Sequence, residues 1–537
     1  MKLPKSFLFL LLFCCSCSFA QDSLKNLAEY SLPLTSASDK LVIAHCMTNI
    51  IRFKGHPLED SCNPDYYSAK DNASAPLGGL TQVKVMADSL MANFSLDEAV
   101  EFEMRAALRS GIDGFQFYYT LGNKSWDDII LAYFRVAEKK NIPFKFTFCI
   151  SHPNGSSEAQ KISEFASRMN KILEVTGRDN PRWLRTPDGR LMTYLWDGEN
   201  LADIPADKRG LPVPFYIARA YKRLADAVGE RFACIFTINK EISKSELNDF
   251  LDYFPATWLW TLPYHDQYIG NRVAAQCKLR KRTFTGSVFN DFYTSKLLKK
   301  GTWDMYHEVD DAVKAGITNT ERKYITTGLS YNFRKMLEFG IKNEVPIINV
   351  ITWNDYPEGH HLAPEINHNE GFSILLNHYK GVWKKDNKSY KDKDVAIVFF
   401  KKYSHQVIPK PFHIPVVPFQ KEVIAPAAED SIELVTILKA PATAVVNGQM
   451  RNVPAGLFVS RYPMKVGAVS VAVIRDKERV LKFTTSEGIT DQPYRSDRLT
   501  YTYSSEFSSF YSGLFPGFKP IYSTEYNPSF KAEWPFK

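Results

Sequence analysis

The stretch Ile347-Ile-Asn-Val-Ile-Thr-Trp-Asn-Asp-Tyr-Pro-Glu-Gly-His-His361 runs from apolar residues straight into acids, aromatics and imidazoles. Ile347 to Thr352 is short, β-branched and largely apolar on both faces, the pattern of a strand covered on both sides in a parallel sheet. Pro357 and Gly359 stop the segment from continuing as strand or helix. Asn354, Asp355, Glu358, His360 and His361 therefore sit on a turn at the strand's carboxyl end.

Two carboxylates three residues apart on one turn can converge on one small volume, as general acid-base chemistry on a neutral substrate requires. The plainer reading is a capping acid beside a surface salt bridge. Trp353 and Tyr356, interleaved with the acids, favour a site, because a flat ring beside carboxylates and histidines can grip a sugar by stacking and hydrogen bonding. Asp355 and Glu358 are thus the expected catalytic pair. No metal is expected here: adjacent histidines such as His360 and His361 point in different directions, so an ion shared with Asp355 is disfavoured.

Working outward, the strand-helix alternation repeats along the chain. Strand patterns at Lys40–Met47, Gly114–Tyr119, Phe144–Ile150, Leu191–Trp196, Phe232–Ile238, Thr257–Thr261 and Thr283–Phe289 precede the one at Ile347. Helical spacing appears after Ser95, over Trp126–Lys139, Glu158–Val175, Pro214–Val228, Ser243–Tyr253 and Tyr331–Lys342. Eight such units predict a parallel (β/α)8 barrel, whose reactive face lies at the strands' carboxyl ends. Helices are harder to place between the sixth and seventh strands and over Asp304–Thr326. The residues that follow the strands, His45, Tyr118, Tyr119, His152, Trp196, Asp197, Trp260, His265, Asn290 and Asp291, are the expected substrate-binding groups together with Trp353, Asn354, Tyr356 and His360. Each has a bland alternative, such as a helix cap for Asp197 or Asp291 and a core role for Trp260. Asp113 precedes its strand, which places it at the opposite end of the barrel in a stabilising role.

Past Lys385 the pattern changes to a helix over Asp394–Tyr403, then to short alternating strands with a hairpin signal at Asn447-Gly448. A smaller C-terminal β-sandwich follows, which either binds glycan or braces the barrel. The expected division is a signal peptide over 1–20, a leader over 21–39, the barrel over 40–405, a Pro-rich linker over 406–426 and the sandwich with an aromatic-rich tail over 427–537; Ser496 to Lys537 fits no assignment.

The chain's 537 residues exceed a typical single core. Its 14% aromatic content, with 27 Tyr and 9 Trp, supplies many stacking surfaces. The net charge of +8 is scattered in short runs such as Lys278-Leu-Arg-Lys-Arg282, which argues for solvated loops and against a nucleic-acid partner. No phosphate-cradling Gly loop or dinucleotide fingerprint stands out, so no cofactor is expected. Basic Met1–Lys5, apolar Ser6–Cys15 and Ser18-Phe-Ala20 read as a secretory signal, so a secreted, periplasmic or cell-surface location is expected; a lipid on Cys14, Cys15 or Cys17 is the weaker alternative. No later stretch is apolar enough to cross a membrane. Cys46, Cys62, Cys149, Cys234 and Cys277 remain after cleavage, an odd number, with Cys46–Cys62 a possible disulfide.

Thr352-Trp-Asn-Asp-Tyr-Pro-Glu-Gly-His-His361 resembles the Trp-Asn-Asp-Tyr-Gly-Glu-Ser-His motif of glycoside hydrolase family 71, the α-1,3-glucanases. Ala44-His45 and Gly111-Ile-Asp-Gly-Phe115 extend the similarity over roughly residues 40 to 385. The resemblance implies an inverting hydrolase of α-1,3-glucan that uses Asp355 and Glu358, one protonating the leaving oxygen and the other activating water. The chain departs from that motif at Pro357 and Gly359. Glu-Gly-His-His-Leu-Ala-Pro is also similar to family 99 endo-α-mannosidases, which gives a second enzymatic reading; a glycan-binding barrel without activity is the third. The expected partner is a polysaccharide or oligosaccharide. Oligomeric state has no sequence signal.

Overall fold

A computed structural model of the chain describes residue 34 and residues 40–56, 88–386, 393–408, 416–418, 424–493 and 498–518, apart from 123, 208–209, 262–268, 295, 307–308, 366 and 508. The signal segment, Cys62 and His265 lie outside the described residues.

The apolar runs become β1 (Leu41–Cys46), β2 (Gly114–Tyr119), β3 (Lys145–Ser151), β4 (Leu191–Trp196), β5 (Phe232–Ile238), β6 (Ala256–Leu259), β7 (Thr283–Phe284), β8 (Gly286–Val288) and, after β9 (Leu298–Lys299) and β10 (Thr320–Tyr324), β11 (Ile347–Val350). Nine of them form one sheet in the order β7-β6-β5-β4-β3-β2-β1-β11-β8. The ladders β3–β4, β4–β5, β5–β6, β6–β7, β1–β11 and β11–β8 are parallel. Only Thr285 separates the two end strands of this sheet in sequence, so β7 and β8 act as one interrupted seventh strand and the sheet is a nearly closed barrel. This is the (β/α)8 class expected from the alternation.

Helices α1 (Leu96–Arg109), α2 (Ser125–Lys139), α3 (Glu158–Thr176), α4 (Val213–Val228), α5 (Lys244–Tyr253), α6 (Ile269–Leu279), α7 (Val309–Ala315), α8 (Tyr331–Lys342) and α9 (Gly371–Lys384) lie between or after the strands. Ser95 and Glu98 close a reciprocal capping box at the start of α1, as Ser243 and Glu246 do for α5. Contacts group the chain into two compact units, one holding Gln116–Asp128 and Lys145–Thr285 and the other Lys40–Phe115, Ile129–Phe144 and Gly286–Lys537.

Within the second unit, two antiparallel four-stranded sheets form the C-terminal sandwich. One, β17-β14-β12-β20, joins β12 (Val395–Lys401), β14 (Ser431–Leu438), β17 (Gly456–Pro463) and β20 (Thr500–Ser504). The other, β16-β15-β18-β19, joins β15 (Ala442–Val446), β16 (Gln449–Val453), β18 (Gly467–Arg475) and β19 (Glu478–Ile489). Val398, Phe400, Leu434, Val446, Val471 and Tyr501 share one core between them. The hairpin turn falls at Asn447-Gly448, whose φ values of 48° and 84° suit those two residues. β13 (Val416–Pro418) pairs with β10 instead.

One expectation is corrected here. Asp394–Tyr403 is not a helix: Val395–Lys401 is the strand β12, flanked by β14 and β20. Every residue of β12 is buried, so its sequence lacks the polar alternation that would have marked a strand, and a continuous apolar run fits either structure.

Candidate active site

The carboxyl end of β11 builds the site. The Thr352 hydroxyl receives the Asp355 N–H at 2.9 Å, and the Thr352 N–H donates to the His360 carbonyl at 2.8 Å. Leu362 N–H returns to the Thr352 carbonyl and Ala363 N–H to that of Trp353. These bonds close residues 352–363 into a tight loop. Tyr356–Glu358 forms a single 3-10 turn with Pro357 in its first turn, and Gly359 ends it at φ 66°. A Cβ on Gly359 would lie 2.7 Å from Leu499 and 3.1 Å from the Tyr293 backbone, so glycine is needed for space as well as conformation.

That turn brings both predicted acids to one place. An oxygen of Asp355, an oxygen of Glu358 and a ring nitrogen of His360 lie within 4.8 Å of one another. His360 Nε2 is 3.2 Å from Asp355 Oδ2 and 3.5 Å from Glu358 Oε2, and Lys296 Nζ donates to Glu358 Oε1 at 2.6 Å. The His360 side chain is fully buried, whereas those of Asp355 and Glu358 keep 12% and 21% of their surface open. Burial pushes the Asp355 carboxyl up, but the His360 hydrogen bond and the charges of His360, Lys296 and His45 outweigh it, and the group is held below the usual carboxylate range. Asp355 is therefore kept ionised.

The neighbours of the acids point inward. Trp353 is fully buried, donates from Nε1 to Glu103 and lies 5.7 Å from the Phe115 ring. Asn354 accepts the Met47 N–H at 2.8 Å and donates to the Met47 and Ile50 carbonyls, which ties the turn to the segment after β1. Tyr356 is buried with its ring 4.6 Å from that of His361. The His45 carbonyl receives the Trp353 N–H at 2.7 Å. Asn290 donates to the His361 carbonyl, and Asp291 is buried against Lys401 and the Thr500 N–H. Lys401 and Thr500 N–H hold the buried Asp291 carboxyl down at about 2 even though burial, the largest influence, opposes them. These groups hold the turn in place. Lys296 and Glu103 are the contacts that sequence reading missed; neither stands in a motif.

In the first unit, aromatic residues expected after the strands come together. The Trp196 ring lies 4.5 Å from His152 and 5.4 Å from Trp260, and Tyr118 is 6.2 Å from His152. His152 Nδ1 is 3.4 Å from Asp197 Oδ2. His152, Asp197 and Thr261, each just past a strand, adopt left-handed φ values of 41°, 48° and 34°, a strained conformation that clusters at binding sites. Tyr119 stands apart: it is buried, bonded to Asp127 and covered by Arg168. Asp113 accepts the Val42 N–H and pairs with Lys380 at 2.6 Å, the stabilising role expected for it. Cys46, Cys149, Cys234 and Cys277 are buried free thiols, so Cys46 is not in a disulfide.

Among the described residues, two side-chain groups are close enough to share a cation: Asp355, Glu358 and His360, and, further along the loop, His361, Glu365 and His368. In the first, Lys296 Nζ already places a positive charge 2.6 Å from Glu358 Oε1, where a bound cation would meet it.

Paired carboxylates at the carboxyl end of a barrel strand are compatible with sugar hydrolysis, and two sequence comparisons point the same way. The model of glycosyl hydrolase family 71 matches residues 323–504, which include the Asp355–Glu358 turn and part of the sandwich. The chain is 27% identical over 154 residues to a mutanase of Penicillium rubens, an alignment covering 25% of this chain and 34% of that protein. The chain thus matches about a third of the length of this curated relative. Among solved structures, the GH99 endo-alpha-mannosidase of Bacteroides thetaiotaomicron aligns with a TM-score of 0.41 at 13% identity, over 65% of this chain and 99% of that one. A glycosyl hydrolase family 2 member of Bacteroides cellulosilyticus aligns with a TM-score of 0.40 at 9% identity, over 83% and 48% of the two chains. The resemblance to family 71 read from the Trp-Asn-Asp-Tyr motif is therefore found independently by the family model. Among the described residues, no helix is long and apolar enough to cross a membrane.

Proposed function

We propose that the protein is a secreted glycoside hydrolase that cleaves α-linked glucan, α-1,3-glucan foremost, with Asp355 and Glu358 as its catalytic pair. The observation that carries this reading is the convergence of the two carboxylates and His360 within 4.8 Å on one loop. Asp355, held ionised, takes the proton of the attacking water, while Glu358, the more open of the two, protonates the leaving glycosidic oxygen. The family 71 match and the mutanase relative support the substrate class; the basic, apolar and small-residue order of the first 20 residues supports secretion.

A second reading of the stereochemistry rests on the acids' separation. Inverting pairs usually stand about 6.5–9.5 Å apart to admit a water, and retaining pairs about 5–5.5 Å. The distance here is a closest approach of single oxygens, within 4.8 Å, so retention by direct attack of Asp355 stands as the alternative to the inversion that the resemblance implies.

Purified protein incubated with α-1,3-glucan, α-mannan and mixed α-glucans tests the proposal. Release of oligosaccharides from the α-1,3-glucan is expected, falling about 10²–10⁴-fold in Asp355→Asn and Glu358→Gln. Turnover surviving in both variants would overturn the assignment. NMR of the first product anomer separates inversion from retention.

A further inference from the structure

We infer that His361, Glu365 and His368 form a buried zinc site directly behind the catalytic turn, separate from the glycosidase chemistry. All three side chains are essentially inaccessible to solvent. Glu365 Oε1 lies 3.6 Å from His361 Nε2 and 3.4 Å from His368 Nδ1, and one ligand atom from each residue falls within 4.8 Å of the others. A tetrahedral zinc ion with bonds of about 2.0–2.1 Å sets its ligand atoms about 3.3–3.4 Å apart. The approach of His361 to Glu365 is too long for a hydrogen bond yet matches the edge of such a tetrahedron.

His361 supplies a second, independent observation. Neither of its ring nitrogens has a hydrogen-bond partner among the described residues, although the side chain is wholly buried. Natural cores seldom leave such groups unpaired, and an ion is one of the standard explanations.

The surroundings are those of an oriented ligand set. Glu365 is fixed by the N–H groups of Asn367 and His368. His368 Nε2 lies 3.5 Å from Asp291, itself anchored by Lys401 and Thr500, and Nδ1 is the nitrogen that faces Glu365. Asn290 Nδ2 is bonded to the His361 carbonyl at 2.7 Å, and each of these two groups stands 3.2 Å from His368 Nδ1, contacts that an ion on that nitrogen would replace. Two imidazoles and one carboxylate are a donor set that zinc favours, with a fourth position left for water.

The test uses the full secreted chain, stripped with a chelator and titrated with Zn²⁺, with metal content measured by plasma mass spectrometry and stability by thermal unfolding. One zinc per chain is expected, with a higher Tm on loading, in the unaltered protein and equally in Asp355→Asn. His361→Ala should bind at least tenfold more weakly. Absence of both stoichiometric zinc and any zinc-dependent Tm change in the unaltered protein, which requires no variant to fold, would overturn the site. So would zinc that persists in His361→Ala and disappears in Asp355→Asn, since that places the ion on the acid pair. Catalytic failure of the glucanase reading leaves this measurement unaffected.

Discussion

Lys296 Nζ lies 2.6 Å from Glu358 Oε1, and it reaches that carboxylate from 62 residues away in the chain. Such a charge-assisted bond fixes where the acid points. The Lys296 side chain is 30% exposed, so its loss should leave the fold intact. Lys296→Ala is expected to lower kcat about 10–100-fold on α-1,3-glucan with unchanged circular dichroism, because a misplaced acid loses its alignment with the leaving oxygen. An unchanged kcat would mean that the contact plays no part in positioning Glu358.

Asp355 gives a pH prediction with a definite sign. Burial raises its pKa, but His360, Lys296 and His45 lower it by more. Activity that depends on the ionised form is complete above that pKa and lost as pH falls through it, so the acid limb of kcat/KM should lie below the usual carboxylate range. His360→Gln keeps a donor while removing the imidazole charge, and its acid limb should move to higher pH. A limb that stays put in the variant would detach His360 from the control of Asp355.

The sequence made much of this site legible because its acids are local. Asp355, Glu358 and His360 fall on one turn, and a strand that runs apolar and then abruptly polar marks where that turn lies. β1 to β6 and β11 could be read for the same reason. The split of the seventh strand at Thr285 left no mark, and β12 read as a helix because the sheet buries both its faces. Lys296 and Glu103 were invisible, since contacts spanning 62 and 250 residues leave no periodicity. The direction of Trp353 and Tyr356 was equally hidden: aromatic residues beside acids suggest stacking on sugar, yet both are buried as supports of the loop.

Gly359 permits the turn, and a side chain there should damage it. Its φ of 66° strains any L-residue, and a Cβ would press on Leu499 and the Tyr293 backbone. Gly359→Ala is expected to destabilise the protein by about 1–3 kcal/mol in urea denaturation. Glu358 adjoins the distortion, so activity should fall by more than the loss of folded protein accounts for. Full specific activity in the soluble variant would show that the loop absorbs the change.

Glu103 links the core beneath the site to solution pH. Burial pushes its carboxyl from 4.5 up to about 7, only partly offset by the Trp353 Nε1–H bond. Below the unfolded value both states hold the proton and no penalty arises. As pH rises from there through about 7, the unfolded chain ionises freely while the folded one must bury a charge, so stability declines across that window. The difference corresponds to roughly 3 kcal/mol. Glu103→Gln retains an oxygen to accept from Trp353 but cannot ionise. It should match the unaltered protein near pH 4.5 and exceed it in urea-denaturation stability near pH 8. If both proteins lose stability in parallel between those pH values, the titrating group is another residue, and Glu103 is ionised in the fold by partners other than Trp353.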